Sequence, residues 1–242
     1  LFNKVLKQDS KNVSALLNKG LALNQIKKYT DAVTCFEKLL EINPKDAQAF
    51  NNKGIAMAEM GNIQDASECY DKAIESDPKY APSFFNKGVL LDKLREHEDA
   101  LVALEKAITI DPRKQNVLVY KGIVLGKMKK HEEALNCFQN ICKKYPNNQD
   151  AFFQKGVQLA ELGEHKKALD VFDDILRKFK DNVNVIYAKS RSKAALEMYP
   201  EALELLKQAV SQNPKIIRAW AKEEKIFEKL YDNDQFRKIV KL

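Results

Sequence analysis

The chain has 242 residues, of which 45% are hydrophobic and 31% charged, and its formal net charge is +7. This composition is that of a soluble globular protein with a sizeable core, and it excludes disordered and fibrous classes. No apolar run approaches the roughly 20 residues that a membrane-spanning helix needs, and no signal-peptide pattern is present. We therefore expect no membrane insertion. Because the chain begins with Leu1 rather than methionine, we expect it to be a piece of a longer protein.

The four cysteines are spaced without a C-x-x-C pair or a regular disulfide framework: Cys35, Cys69, Cys137 and Cys142. Disulfide-rich proteins belong to oxidising compartments, whereas scattered thiols are typical of reducing ones. We therefore expect a cytoplasmic location.

A period of 34 residues runs through the sequence and is kept by three residue types. Its members are the glycines Gly20, Gly54, Gly88, Gly122 and Gly156, the alanines Ala32, Ala66, Ala100, Ala134, Ala168 and Ala202, and the prolines Pro44, Pro78, Pro112, Pro146 and Pro214. Ser190 interrupts the glycine series and Lys180 the proline series. This agreement indicates an internal repeat.

Each repeat carries two sets of apolar residues at helical spacing. In the second repeat, Phe50 and Gly54 share one face of a first helix, and Ala66 and Tyr70 share one face of a second. Gly61 lies between them and predicts a helix terminus. The repeat proline ends the second helix. Each repeat is therefore predicted to be a helical hairpin, packed closely where glycine and alanine are small.

In chain order, residues 1–12 are predicted to be the second helix of a truncated preceding repeat. Six complete hairpins are expected next, at residues 13–46, 47–80, 81–114, 115–148, 149–182 and 183–216. Residues 217–242 are expected to form a degenerate C-terminal repeat or capping helices. That segment keeps an aromatic residue at Trp220, but it has Glu224 in the glycine position and Phe236 in the alanine position.

The repeat positions of the second hairpin are, in order, Phe50, Gly54, Ala66, Tyr70, Ala73 and Pro78. This aromatic–glycine–alanine–aromatic–alanine–proline order resembles the tetratricopeptide repeat (TPR) family over nearly the whole chain. The resemblance implies an all-α fold, a right-handed α-solenoid (superhelix) of stacked 34-residue helical hairpins. It also implies that the first helices line a concave groove, which offers an extended surface rather than a deep pocket.

The histidines His97, His131 and His165 also follow the period. Equivalent residues of successive hairpins lie about 9–10 Å apart, whereas zinc ligands lie about 2 Å from the metal. We therefore interpret the histidines as packing residues at the start of second helices. The sequence also lacks a glycine-rich phosphate loop and a serine or cysteine with a suitably spaced histidine. We expect no enzymatic activity, no cofactor, no metal and no small-molecule substrate.

Polar side chains recur two residues before each repeat glycine position. The row reads Asn18, Asn52, Asn86, Tyr120, Gln154, Ala188 and Lys222. An amide offers both donors and an acceptor, which suit the backbone of an extended peptide. The row resembles the asparagine ladder of O-GlcNAc transferases at its first three positions, with Gln154 as a partial substitute. The alternative interpretation is that these amides are merely solvated.

Other groove positions supply aromatic and basic side chains. The aromatic candidates for partner contact are Phe85, Tyr120, Phe153 and Tyr187, because aromatic residues are enriched at interface anchors. The basic candidates are Arg191, Arg218, Lys222 and Lys225, which would favour an acidic segment of the partner. They do not complete the carboxylate clamp of chaperone-binding TPR proteins.

One lysine precedes the glycine position in every complete hairpin: Lys19, Lys53, Lys87, Lys121, Lys155 and Lys189. The stem of a lysine can cover apolar surface while its ammonium group reaches water, and this is the arrangement that we expect.

The leading hypothesis is a non-catalytic scaffold that binds a protein or peptide ligand, as an extended segment, along the concave groove. A nucleic-acid-binding solenoid is an alternative suggested by the basic balance. It is less favoured, because acids alternate with the bases near the hairpin turns. A third possibility is the targeting arm of a larger enzyme whose catalytic domain lies outside this fragment.

Overall fold

The computed structural model describes residues 2–241, and among these it contains helices and no β-strand. The chain divides into two compact units, one up to Val124 and one from Leu125. The helices of the first unit are α1 Phe2–Gln8, α2 Val13–Gln25, α3 Tyr29–Ile42, α4 Ala47–Glu59, α5 Ile63–Ser76, α6 Ala81–Lys93 and α7 His97–Ile110. Helix α8, Gln115–Lys127, contains the division between the units. No helix of the described residues is both long and apolar enough to cross a membrane.

The second unit continues with the same alternation and then departs from it. Its helices are α9 His131–Lys144, α10 Gln149–Glu161, α11 His165–Lys178, α12 Val183–Ala195, α13 Tyr199–Gln212, α14 Pro214–Glu223, the 3-10 helix Lys225–Leu230 and α15 Asp234–Val240. Helix α14 begins three residues before the expected repeat start at Ile217, and the short helices after it replace a regular second helix.

Several first helices begin at a side-chain cap. The side-chain oxygen of Asn12 accepts the backbone N–H of Ala15 at 2.9 Å, and Asp46 accepts that of Ala49 at 2.8 Å. The same bond, one residue before the helix, is made by Asn148 and Asn182. These caps satisfy a backbone donor that the first turn of a helix leaves unpaired.

Helices pack in two layers inside each unit. Successive helices pack together, as α2 does with α3 and α10 with α11, and first helices also contact one another, α2 with α4 and α4 with α6 in one unit and α10 with α12 in the other. The aromatic side chains of the second helices Phe36, Phe138 and Phe172 are fully buried.

At Gly20, Gly54 and Gly156 a second-helix ring lies directly against the repeat glycine, and at Gly88 the side chain of Leu104 takes that place. A Cβ atom on Gly20 would come within 2.5 Å of Phe36, and one on Gly156 within 2.4 Å of Phe172. At Gly54 a Cβ would meet the ring of Tyr70 at 2.7 Å and then the backbone oxygen of Ala66 at 3.2 Å. The close packing expected at the glycine is therefore first a contact with a second-helix side chain, and at Gly54 and Gly88 it is also a contact with the second-helix backbone.

The lysine before the glycine does more than reach water. Lys53 Nζ lies 2.8 Å from Glu37 Oε1, and Lys121 Nζ lies 2.9 Å from Glu105 Oε1. The same ion pair joins Lys87 to Asp71 and Lys189 to Asp173. Each pair links a first helix to the second helix of the preceding hairpin. The ammonium groups of these lysines therefore form ion pairs, in addition to the expected contact with water. Such partly exposed pairs contribute about 0–1 kcal/mol each.

The turn inside each hairpin has a left-handed residue, and this feature keeps the 34-residue period too. Positive φ angles occur at Lys27, Gly61, Arg95, Lys129, Gly163 and Glu197. Only two of the six residues are glycines, which adopt this conformation without steric cost. The other four have φ between 59° and 65° and carry a Cβ that disfavours it.

We predict that Lys129→Gly raises the free energy of unfolding by about 0.5–1 kcal/mol, because glycine removes the strain of a left-handed side-chain-bearing residue. Lys130→Gly is the matched control, since this neighbouring exposed lysine has a φ of −82°. It removes the same charge without relieving strain and should lower stability. Urea unfolding of both variants measures the difference, and equal effects would contradict the explanation.

Candidate functional site

The candidate site is built from first-helix positions three and two residues before the repeat glycine and one residue after it. We call these positions the first-helix face. In the unit up to Val124 they belong to α2, α4 and α6 and to the start of α8, and in the unit from Leu125 to α10 and α12.

The asparagine row makes internal hydrogen bonds. Asn18 Nδ2 donates to the backbone oxygen of Ser14 at 2.8 Å, and Asn52 Nδ2 donates to that of Gln48 at 2.7 Å. Asn86 Nδ2 instead donates to Asn51 Oδ1 at 2.8 Å. Asn18 is exposed and Asn86 half-buried, whereas Asn52 is only 9% exposed. One N–H of each amide is therefore already bonded within the chain.

Two of the aromatic candidates pack together in the same unit. The rings of Phe85 and Tyr120 meet edge-on with their centroids 5.8 Å apart. The Tyr120 hydroxyl donates to Asp92 Oδ2 at 2.6 Å, and His97 Nδ1 lies 3.1 Å from Asp92 Oδ1. Asp92 is a buried carboxylate that the sequence analysis did not single out. Burial, followed by the hydrogen bond to Asp92, raises the pKa of Tyr120.

In the unit from Leu125, the first-helix face of α10 and α12, together with α14 and its C-cap residue, lines a concave cavity of about 490 Å³. We call it the Trp220 cavity; its lining residues are Phe153, Val157, Asn184, Tyr187, Ala188, Arg191, Trp220, Glu223 and Glu224. The structure thus brings together three sequence-predicted residues, Phe153, Tyr187 and Arg191. Trp220 is predicted from the sequence as a repeat position and not as a site residue, although it is the single tryptophan, which is a usable signal.

The aromatic side chains of this cavity differ in accessibility. Tyr187 is only 7% exposed, and its ring lies 5.6 Å from that of Trp220 and 6.3 Å from that of Phe227, between centroids. Burial, and secondarily Glu224, raises the pKa of Tyr187. Trp220 remains 45% exposed, and Phe153 is half-buried against Phe172. Tyr187 therefore supports the cavity, and Trp220 and Phe153 offer more of its accessible surface.

The predicted basic residues do not form one cluster. Arg191 is paired with Glu161 at 3.2 Å and Glu224 at 2.7 Å. Arg218 Nε donates to the backbone oxygen of Ile239 at 3.0 Å, and Lys222 Nζ to that of Lys241 at 2.9 Å. The last two therefore hold the carboxyl end of α15.

Lys225 and Gln154, also predicted from the sequence, differ in exposure. Lys225 is exposed at the start of the 3-10 helix, and Gln154 is half-buried on α10. Arg218 lines a different cavity, which it shares with Lys207 and Lys238 and not with Arg191.

The histidines begin α7, α9 and α11, and each has its own surroundings. His131 Nδ1 lies 2.9 Å from Oε1 of the buried Gln158, and burial, followed by Arg191, lowers the pKa of His165. Among the described residues no three metal-binding side chains come together. The four cysteines are free thiols, and burial raises the pKa of Cys35, Cys69 and Cys142.

Comparison with models of protein families gives four matches. One described as a TPR repeat covers residues 20–61, and three described as tetratricopeptide repeats cover residues 47–80, 69–102 and 121–183. Together they span more than half of the chain. The resemblance stated from the sequence is therefore confirmed. A comparison with curated proteins gave no match.

Solved structures of the same kind are similar to this chain. YrrB, described as a TPR protein with an unusual peptide-binding site, is 26% identical with a TM-score of 0.60, over 78% of this chain and 97% of its own. MamA is 28% identical with a TM-score of 0.53, over 59% of this chain and 84% of its own. PilF of Pseudomonas aeruginosa, at 23% identity and a TM-score of 0.74, covers 88% of this chain and 97% of its own. The predicted class, an all-α fold of solenoid type, is confirmed.

We predict that Tyr120→Phe lowers the free energy of unfolding by about 1–3 kcal/mol, because it removes a hydrogen bond to a buried carboxylate. Tyr29→Phe is the control, since its hydroxyl donates to Glu59 at 3.4 Å in an exposed position. That change should stay within about 0.5 kcal/mol. Urea unfolding at neutral pH measures both, and an unchanged stability of Tyr120→Phe would contradict the assignment.

The same variant has a pH signature. The folded-state pKa of Tyr120 lies above the ordinary 10.0, so its contribution is complete below pH 10 and is lost as the pH rises further. Stability of the unaltered protein should therefore fall more steeply above pH 10 than that of Tyr120→Phe.

Proposed function

Because the chain belongs to the tetratricopeptide repeat family, we propose that it is a non-catalytic scaffold that binds an extended peptide segment of a partner protein along its first-helix face. The observation that carries the proposal is the Trp220 cavity, where successive first helices present accessible aromatic side chains around one concave surface. Aromatic side chains at the centre of an interface are frequent energetic anchors.

The first-helix face of each unit offers a peptide different chemistry. In the unit from Leu125, Phe153 and Trp220 would contact the peptide, and their rings suit apolar or aromatic parts of the peptide's side chains. In the unit up to Val124, Asn18 and Asn86 offer their remaining amide groups to a peptide backbone. Asn52 contributes less, because it is nearly buried. The similarity to YrrB, a TPR protein described by its peptide-binding site, supports this mode of binding.

The charge of the bound segment is not set by the basic residues named from the sequence. Arg191 is neutralised by two carboxylates, and Arg218 and Lys222 donate to the backbone next to α15. Of the four basic residues, the exposed Lys225 therefore remains as the main contact for an acidic segment. The free thiols support the proposed cytoplasmic setting.

We predict that peptides selected from a random phage library on this protein lose at least about tenfold in affinity for Phe153→Ala, because a central aromatic anchor is removed. Phe179→Ala is the matched control: Phe179 is 41% exposed at the end of α11 and lines a different cavity. Its effect should stay below about twofold. Titration calorimetry measures affinity, and circular dichroism verifies that each variant is folded.

The triple change Asn18→Ala, Asn52→Ala and Asn86→Ala tests the backbone contacts. It should weaken peptides of unrelated sequence by similar factors, since an amide reads the backbone and not the side chain. Failure to select any peptide, or equal losses in Phe153→Ala and Phe179→Ala, would overturn the proposal. Binding of single-stranded RNA that falls steeply with salt, in place of peptide binding, would favour the nucleic-acid alternative.

A further inference from the structure

The Trp220 cavity combines an aromatic surface with an excess of carboxylates. Its titratable lining residues are Arg191, Glu223, Glu224 and the buried Tyr187. Glu161 lies outside the lining but bonds to Arg191 at 3.2 Å. Since a tyrosine with a raised pKa is neutral at pH 7, the immediate surroundings hold one cation and three anions. The cavity is therefore acidic, although the protein as a whole is basic.

Arg191 does not offer a positive charge to a ligand. Its Nε lies 2.7 Å from Glu224 Oε2, and a terminal nitrogen lies 3.2 Å from Glu161 Oε1. These two carboxylates enclose the guanidinium from α10 and from the end of α14. Glu223 differs, because it is exposed and has no ion-pair partner among the residues that the structure describes. It supplies the uncompensated charge.

Trp220 supplies a fixed aromatic surface next to this charge. Its ring packs on Tyr187, which in turn packs on Phe227, so its position is set by the core of the unit. At the same time, 45% of the residue is exposed, in contact with the cavity. The face of an indole ring attracts cations more strongly than any other side-chain ring.

We propose that the Trp220 cavity is a subsite for an arginine or lysine side chain of the bound peptide, with the cation over Trp220 and facing Glu223. This inference rests on the proposed function, because it assigns the kind of residue that the first-helix face selects. It reverses the charge expected from the sequence, where the basic groove residues suggested an acidic partner segment. A carboxylate in the cavity would be repelled by Glu223 and Glu224, and an aliphatic side chain would leave the charge of Glu223 without a counterion.

The protein's single tryptophan makes the test direct, since intrinsic tryptophan fluorescence reports only this site. The probes are four glycine–serine peptides that differ only in a central arginine, citrulline, leucine or glutamate. Citrulline keeps the shape of arginine and removes its charge. We expect the arginine peptide to change the Trp220 signal saturably, to bind about fivefold or more tightly than the citrulline peptide, and to weaken with added salt.

Two variants separate the effect of a charge in the Trp220 cavity from the effect of the protein's net charge. Glu223→Gln should reduce arginine-peptide affinity by about threefold or more and flatten its salt dependence. Glu228→Gln, an exposed glutamate of the 3-10 helix that does not line the cavity, makes the same change in net charge and should have no effect. Both variants retain the tryptophan reporter.

The outcomes distinguish this inference from the proposed function. Equal binding of the arginine and citrulline peptides, or preference for the glutamate peptide, would overturn cation selection, while peptide binding by the first-helix face would stand. Equal effects of Glu223→Gln and Glu228→Gln would also overturn it. No change in the Trp220 signal with any probe at millimolar concentration would remove the cavity as a subsite, and the phage selection would then decide separately whether peptides bind elsewhere on the face.

Discussion

The contact between a first-helix glycine and a large second-helix side chain controls the rest of this structure. At Gly20 and Gly156 the ring of the facing phenylalanine occupies the space that a Cβ would need. Ser190 replaces the glycine in the sixth hairpin: its hydroxyl donates to the backbone oxygen of Ala202 at 2.8 Å, and the facing second-helix position holds Leu206, just as Leu104 faces Gly88. The close helix pair that results presents the remaining first-helix side chains on one face, which is where the candidate site lies.

Stacking needs more than apolar surface, because every hairpin could in principle pack on every other. In four of the hairpins the lysine before the glycine forms an ion pair with an acid of the preceding second helix, 16 residues earlier in the chain. Each pair contributes little to stability. A repeated pair at one register nevertheless disfavours stacking that would place like charges together. At the last such pair of positions the signs of charge are reversed: the lysine, Lys207, lies on the second helix, and the acid, Glu223, lies on the next first helix.

That reversal also determines the character of the candidate site. The first-helix position before the glycine carries lysine in the complete hairpins and Glu223 at the end of the chain. Together with Glu224, which stands where the glycine should be, it brings two carboxylates next to an exposed tryptophan. The degenerate final repeat therefore gives one end of the first-helix face a chemistry that no other repeat has.

Much of the architecture could be predicted from the sequence, because the 34-residue period of glycine, alanine and proline restricts where helices can touch and end. The helical hairpins followed from that spacing, and the all-α solenoid followed from the resemblance to the tetratricopeptide repeat family that the order of aromatic, glycine, alanine and proline residues carries. The groove positions were also predictable as positions, since helical periodicity places residues on faces. What spacing could not decide was the partner of each side chain. Arg191 and Lys222 counted as free cations in the sequence, but the fold pairs one with Glu161 and Glu224 and places the other at the end of α15. Charge at a site depends on distances between residues far apart in the chain, and only the tertiary structure sets those distances.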